Sequence, residues 1–194
     1  MTNDERNLIG RSQAGDLSAF NALVVAYQGQ VYNLCLRLLG GREAAEDATQ
    51  EAFIAAYRNI GRFRGGSFRA WLLRIAANVC YDELRRLRHR AVVPIDEAFD
   101  ISSPDRETSP EARALQRELA WQIQAGLATL PSEQRLVVIL CDVQSLSYEE
   151  AAQVIGRSVG TVKSRLSCGR ARLRDYLKGQ GELSPQEFRH MSEG

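Results

Sequence analysis

The stretch LSYEEAAQVIGRSVGTVKSRLSCGRARLRDYL, residues Leu146 to Leu177, decides the reading of this chain. Two helical patterns flank a break at Gly156-Arg157. Ser147 suits an N-cap, and Glu150 three residues on completes a capping box. Ala151, Ala152 and Ile155 give the first helix an apolar face. Ser158 is the next cap, and Val159, Val162, Leu166 and Leu173 recur behind it at helical spacing. Two helices joined by so short a turn, the second strongly basic, predict a DNA-binding helix-turn-helix. Seven Arg or Lys and one Asp lie between Arg157 and Lys178, a local net charge of +6. A solvated amphipathic hairpin is the alternative for this stretch taken alone.

A helical wheel sharpens the choice. The side opposite Val159, Val162, Leu166 and Leu173 carries Gly160, Ser164, Ser167, Cys168 and Ala171, all small. Lys163, Arg170 and Arg174 edge that strip on one side, and Arg165 and Arg172 on the other. A strip of small residues admits base edges closely, while long cations on both edges reach phosphates across a major groove. A merely solvated helix has no reason to sort its charges this way.

Upstream, Asp16 predicts the start of a helix over Leu17 to Leu39, ended by Gly40-Gly41. A second helix, from about Arg42 to Ile60, carries Ala45, Ala48, Ala52 and Ala56 with Phe53, Tyr57 and Ile60. Glu43, Glu46, Asp47 and Glu51 crowd towards its start, where they complement the helix dipole. The loop GRFRGGSF, residues 61–68, sets Phe63 and Phe68 among arginines, including Arg64. Such aromatics either stack on single-stranded bases or anchor the loop to a core. Ser67 predicts a third helix from Phe68 to about Arg88. Leu72, Ile75, Val79, Leu84 and Leu87 form its buried stripe, and Arg74, Asn78, Tyr81, Arg85 and Arg88 recur on the other side. Eight Arg against two acids between Arg62 and Arg90 again give +6, which implies a second nucleic-acid contact.

Between Ala91 and about Glu111 the periodicity collapses around Pro94, Pro104 and Pro110. Seven acids against three bases from Asp96 to Glu118 give −4, the composition of a flexible acidic linker. Helix resumes from about Pro110 to Thr129, breaks at Leu130-Pro131-Ser132, and continues over Arg135 to Cys141. The expected architecture is therefore all-α. It has a first helical domain over 1–90, a linker over 91–111, a second helical domain over 112–178 and a polar tail over 179–194, with a possible short helix from Pro185 to His190.

Composition sets the outer limits. The 194 residues are 44% hydrophobic, enough for real cores, and the net charge of +1 conceals the segregation described above. Met1 to Asp16 lacks a secretory-signal pattern, and the longest apolar run, Leu136 to Cys141, is far too short to span a bilayer. Cysteines 35, 80, 141 and 168 show no CxxC pairing and read as reduced thiols of a cytoplasmic protein. No metal or cofactor is expected. His89 and His190 stand apart from any nucleophile or carboxylate cluster, so catalysis is not expected either.

Four motifs in order carry a resemblance. DATQEAF (47–53), FRAWLLRIAAN (68–78), Leu130-Pro131 with Gln134-Arg135 and Leu140, and SYEEAA (147–152) with GTVKSRL (160–166) resemble the group 4, or extracytoplasmic-function (ECF), sigma factors of bacterial RNA polymerase. The likeness runs from about Asp16 to Leu177 and implies two helical domains, sigma-2 and sigma-4, without catalytic chemistry of their own. It implies that Asp47, Gln50, Glu51 and Phe53 face the clamp helices of the polymerase's largest subunit, with the second-largest subunit's flap a further contact. It also implies that Phe63, Arg64, Phe68, Arg74, Asn78, Tyr81 and Arg85 capture an opened −10 element, a base flipping into the loop. The −35 element falls to Arg157, Thr161, Lys163, Ser164, Arg165, Ser167, Cys168, Arg170 and Arg172, and an anti-sigma protein is implied as a further partner. Cys168 departs from the family, many of whose members have Arg there; one Arg-to-guanine contact worth about 1–3 kcal/mol is then missing. Its thiol is either a plain contact residue or redox-sensitive. The alternative to the sigma reading is a helix-turn-helix regulator that acts without being a polymerase subunit.

Overall fold

A computed structural model describes residues 2–89 and 110–179. Residues 90–109, which hold all but the end of the expected linker, and residues 180–194 of the tail, with the short helix read there, lie outside the described residues. All regular structure among the described residues is helical.

The first group comprises α1 (Asn3–Gln13), α2 (Leu17–Leu39), α3 (Arg42–Asn59) and α4 (Phe68–His89). Helix α1 has no counterpart in the sequence reading, because Leu8 and Ile9 are its only large apolar residues. It is held from outside its own pattern. Ile9 is buried, and the Gln13 Nε2 donates to the carbonyls of Ile60 (3.0 Å) and Phe63 (2.9 Å). Helix α2 begins and ends as expected. The Asp16 carboxylate accepts the Ser18 and Ala19 N–H groups, and Gly40 takes φ +80°, which a side chain would strain. Hydrogen bonds from Ser18, then Arg11 and Ala19, hold the Asp16 carboxyl well below the usual carboxylate range. In α3, Ala45, Ala48, Ala52 and Ala56 are all buried; their small volume lets the helix lie close against its neighbours.

The second group comprises α5 (Pro110–Thr129), α6 (Ser132–Val138), α7 (Tyr148–Ile155) and α8 (Val159–Gly179). The apolar run Leu136 to Leu140 is wholly buried. Where the sequence reading extends an ordinary helix to Cys141, the chain widens into a π turn over Ile139–Val143. That turn lets the N–H of Gln144 bond Ile139 (2.9 Å) and that of Leu146 bond Leu140 (2.9 Å), closing the element without a glycine. Two glycines set the packing of α8: a Cβ on Gly169 would stand 2.7 Å from Val138 Cγ2, and one on Gly126 2.6 Å from Leu173 Cδ1.

The two groups also pack on each other, which nothing in the sequence signals. Arg69 Nε donates to the Gln30 side chain (2.7 Å) and its Nη2 to the Gln144 carbonyl (2.5 Å). Gln144 Nε2 donates to the Gln30 carbonyl (2.7 Å), Arg135 Nη1 to Leu38 (2.8 Å), and Gln124 Nε2 to Arg37 (3.2 Å). The buried apolar residues of both groups form one cluster.

Candidate nucleic-acid interface

The helix-turn-helix assembles as the capping pattern requires. The Glu150 N–H donates to Ser147 Oγ (3.1 Å), and the Ser147 N–H to Glu150 Oε2 (3.2 Å). Gly156 closes α7 at φ +62°, and Ser158 Oγ accepts the Thr161 N–H (3.2 Å) to open α8. Val162, Leu166, Gly169, Leu173 and Leu177 are buried beneath α8. Gly160, Lys163, Ser164, Ser167, Cys168, Arg170 and Arg172 are exposed, as is Arg157 in the turn; Thr161 and Ala171 are half-buried. The small-residue strip with cationic edges is present, with Cys168 on it.

Three of the cations are engaged within the chain. Arg165 pairs with Glu133 and is largely covered. Arg170 grips Asp142 with two hydrogen bonds, of 2.5 and 3.1 Å, and that carboxylate holds its guanidinium pKa above the usual arginine value. Lys163 Nζ stands 5.7 Å from the centre of the Tyr148 ring.

On α4, Arg74, Asn78 and Arg85 are exposed and Tyr81 is half-buried, at spacings of four, three and four that share one face. Burial first, then the nearby Glu133 carboxylate, pushes the Tyr81 phenol up to about 12; its hydroxyl donates to the Ser132 carbonyl (3.3 Å). Arg85 pairs with Asp82 on its own helix (2.5 Å).

Of the two readings left open for the loop aromatics, the structure takes the anchoring one. Phe63 is 7% exposed and Phe68 1%, so neither ring offers an open face for stacking. They form an aromatic cluster with Trp71 and Tyr27, with centroids 5.4–5.5 Å apart. Packing wins because each ring removes far more apolar area from water by turning inward. The loop's exposed surface is instead Gly61, Arg62 and Arg64 with Gly65 and Gly66, the last two at positive φ (+102° and +88°). Beside it opens a cavity of about 500 Å³ lined by Arg6, Ile9, Gln13, Phe63, Arg64 and the glycines at 10, 61 and 65. Arg6 and Gln13, from α1, were missed; the glycine pair was the one sequence mark of a nearby recess.

Helix α3 carries the third feature. Asp47, Gln50 and Glu51 are exposed along one face, Phe53 is half-buried, and Ile54 continues that face at 52% exposure. The sequence reading missed Ile54, although its place seven residues after Asp47 aligns it with the acids. Among the described residues no His, Cys, Asp or Glu side chains group to hold a metal ion, and no helix is long and apolar enough to cross a membrane. Cys35 and Cys80 are buried side by side, and the hydrogen bond that the Cys80 thiol donates to Cys35, with burial, pushes that thiol up.

Two family models match the chain: Sigma-70 region 2 over residues 23–90, and Sigma-70, region 4 over residues 120–173. The ECF RNA polymerase sigma factor SigE of Mycolicibacterium smegmatis is 38% identical over 161 residues. That match takes in 83% of this chain and 62% of the relative, so the chain spans less than two thirds of that protein's length. The ECF RNA polymerase sigma-E factor of Escherichia coli is 40% identical over 166 residues, 82% of this chain and 86% of that protein. Among solved structures, CnrH in complex with the cytosolic domain of CnrY matches with a TM-score of 0.67 at 27% identity, covering 91% of this chain and 99% of that one. The sigma factor RpoE of Bartonella quintana, in complex with the anti-sigma factor NepR, matches with the same TM-score and identity over 84% of this chain and 98% of that one.

Proposed function

This chain belongs to the extracytoplasmic-function (ECF) group of the sigma-70 family, and from that premise we propose how its surfaces divide the work of starting transcription. It is a transcription initiation factor rather than an enzyme. The observation that carries the reading is the α8 strip: exposed small residues edged by cations, in a fold that holds a second cationic helix, α4. In this reading α8 docks in the major groove of the −35 element. Ser164, Ser167 and Cys168 approach base edges there, and Arg157, Lys163, Arg165, Arg170 and Arg172 reach phosphates or bases. Arg74, Asn78, Tyr81 and Arg85 on α4 hold the −10 strand. The cavity beside Arg64 takes a flipped base, with Phe63 in its wall and Phe68 packed behind Phe63, rather than either ring stacking in the open.

Asp47, Gln50 and Glu51, with Ile54 beside them, dock on the clamp helices of core polymerase, and the second group meets the flap. Capping the helix dipole and docking coexist in these acids, since both keep the carboxylates at the surface. The sigma factor RpoE solved with its anti-sigma factor NepR supports an anti-sigma partner here, and a chain that works beside polymerase is expected in the cytoplasm. The helix-turn-helix regulator reading falls away, because it gives no account of a family match through residues 23–90.

The test is promoter-specific transcription by purified core polymerase over a promoter library, with and without this protein. RNA that depends on the protein is expected; equal RNA without it, or none with any promoter, refutes the reading. Gln50→Ala with Glu51→Ala should weaken core binding by about tenfold or more, with the full chain's DNA affinity unchanged. Equal core affinity for variant and parent would remove α3 from the docking surface.

A further inference from the structure

We propose that helix α1 chooses the base that enters the loop cavity, with Gln13 as the specificity-determining residue and an amino-bearing base, not thymine, as the ligand. The inference rests on the reading of that cavity as the pocket for a flipped base, and it names which base the pocket takes.

The first observation is what the cavity offers a ligand. Its volume of about 500 Å³ falls within the roughly 300–1,000 Å³ of small-ligand pockets. Helix α1 supplies Arg6, Ile9, Gly10 and Gln13 to the lining, opposite Phe63 and Arg64 of the loop. This wall precedes residues 23–90, the span of the region 2 match. At Gly10, Gly61 and Gly65 an added Cβ would meet nothing within 4 Å, so the rim stays clear for a planar ring. Ile9 and Phe63 are buried and give that ring an apolar floor.

The second observation is how the polar groups of the lining are engaged. The Gln13 amide nitrogen has two hydrogens, and they go to the Ile60 (3.0 Å) and Phe63 (2.9 Å) carbonyls. These bonds fix which end of the amide is nitrogen, because two carbonyls cannot both face its oxygen. Oε1 is left as an acceptor with no hydrogen-bond partner among the described residues. Arg6 and Arg64 can only donate. Arg64 Nη1 already reaches the Gly61 carbonyl (2.6 Å), while the Arg6 side chain makes no hydrogen bond or ion pair among the described residues. Among the described lining residues, Gln13 is therefore the one side-chain acceptor.

The two kinds of group select differently. Every base carries an acceptor, so the arginines hold any base, or its phosphate, without choosing. Cytosine, adenine and guanine present amino donors at N4, N6 and N2, and thymine has none. Gln13 Oε1 meets an amino hydrogen but is repelled by a carbonyl. Thymine's N3–H is no substitute, since it lies between two carbonyl oxygens. The same amide that holds the loop thus reads the base.

The test uses core polymerase with the full chain and a pool of forked duplexes randomised over the unpaired −10 strand. Retained DNA is sequenced, and circular dichroism checks the folding of each variant. At one unpaired position the parent should retain amino-bearing bases over thymine by roughly fivefold, the effect of one hydrogen bond. Gln13→Met, of similar length and without polar groups, should flatten that preference and leave every other position unchanged. Gln13→Lys still donates to the loop carbonyls but cannot accept, so it should flatten the same position even where Met unseats the loop. A preference that survives both variants, or a Gln13-sensitive position that favours thymine, overturns the inference and leaves the flipped-base reading standing. Gly10→Leu places a side chain in the open space beside α1 and suits a helix, so it should lower DNA capture without unfolding the chain. Capture unchanged by Gly10→Leu, or a parent without base preference at any position, overturns the flipped-base reading and the inference with it.

Discussion

Phe68→Ala is expected to destabilise the chain by about 3–5 kcal/mol, the cost of emptying a large, fully buried aromatic site. Phe68 is 1% exposed and meets three other rings, Tyr27, Phe63 and Trp71, so no single neighbour can collapse into the space left behind. The damage should not stop at stability. Phe68 opens α4, and Phe63 leans on it from the glycine loop, so the loop loses its inner wall. Urea unfolding of the full chain should show the loss as a lower midpoint, and Phe68→Leu should restore much of it. A loss below about 1 kcal/mol would mean that the loop is held by its hydrogen bonds to Gln13 and not by the rings.

Gly169→Val is the second large effect. In an exposed helix, replacing glycine with a residue bearing a side chain ordinarily helps, by up to about 1 kcal/mol for alanine. Here the first added carbon would stand 2.7 Å from Val138 Cγ2 and 3.5 Å from the Gln134 carbonyl, with α6 unable to retreat from the buried run behind it. Overpacking should outweigh propensity and cost about 2–3 kcal/mol, a melting-temperature drop of roughly 5–10 °C. Gly29→Ala is the matched control. Gly29 is mid-helix in α2, exposed, with nothing near its absent Cβ, and alanine there should stabilise by about 0.5–1 kcal/mol. The two substitutions should move the thermal midpoint in opposite directions. If both raise it, α8 does not depend on close approach at Gly169.

The parts of this fold legible in the sequence are those governed by neighbours in the chain. Asp16, Gly40, the Ser147–Glu150 box and the alternation under α8 all act over four residues or fewer, and all stand where their spacing puts them. What escaped reading is governed by distant partners. Helix α1 depends on Gln13 reaching residues 47 and 50 positions away. The seam between the two groups depends on glutamines and arginines that meet backbone carbonyls, and such contacts leave no period in a sequence. Phe63 and Phe68 show the same limit from the other side. Their flanking arginines suggest an exposed platform, and only the positions of Tyr27 and Trp71 decide that the rings turn in. Among candidate surfaces, the α3 acids were legible as a face, but Ile54 became part of it only once its exposure was known.

The grip of Arg170 on Asp142 changes how this protein should respond to salt. Each phosphate that a cationic side chain neutralises sheds condensed counterions, and the steepness of the salt response counts them. An arginine that must first leave a carboxylate behaves differently, because the deserted Asp142 gathers a cation of its own as the phosphate sheds one. The two exchanges nearly cancel. The same holds for Arg165 and Glu133. Two of the seven positive charges between Arg157 and Lys178 thus lend contact without lending ionic-strength sensitivity, and −35 binding should tolerate salt better than its charge count implies.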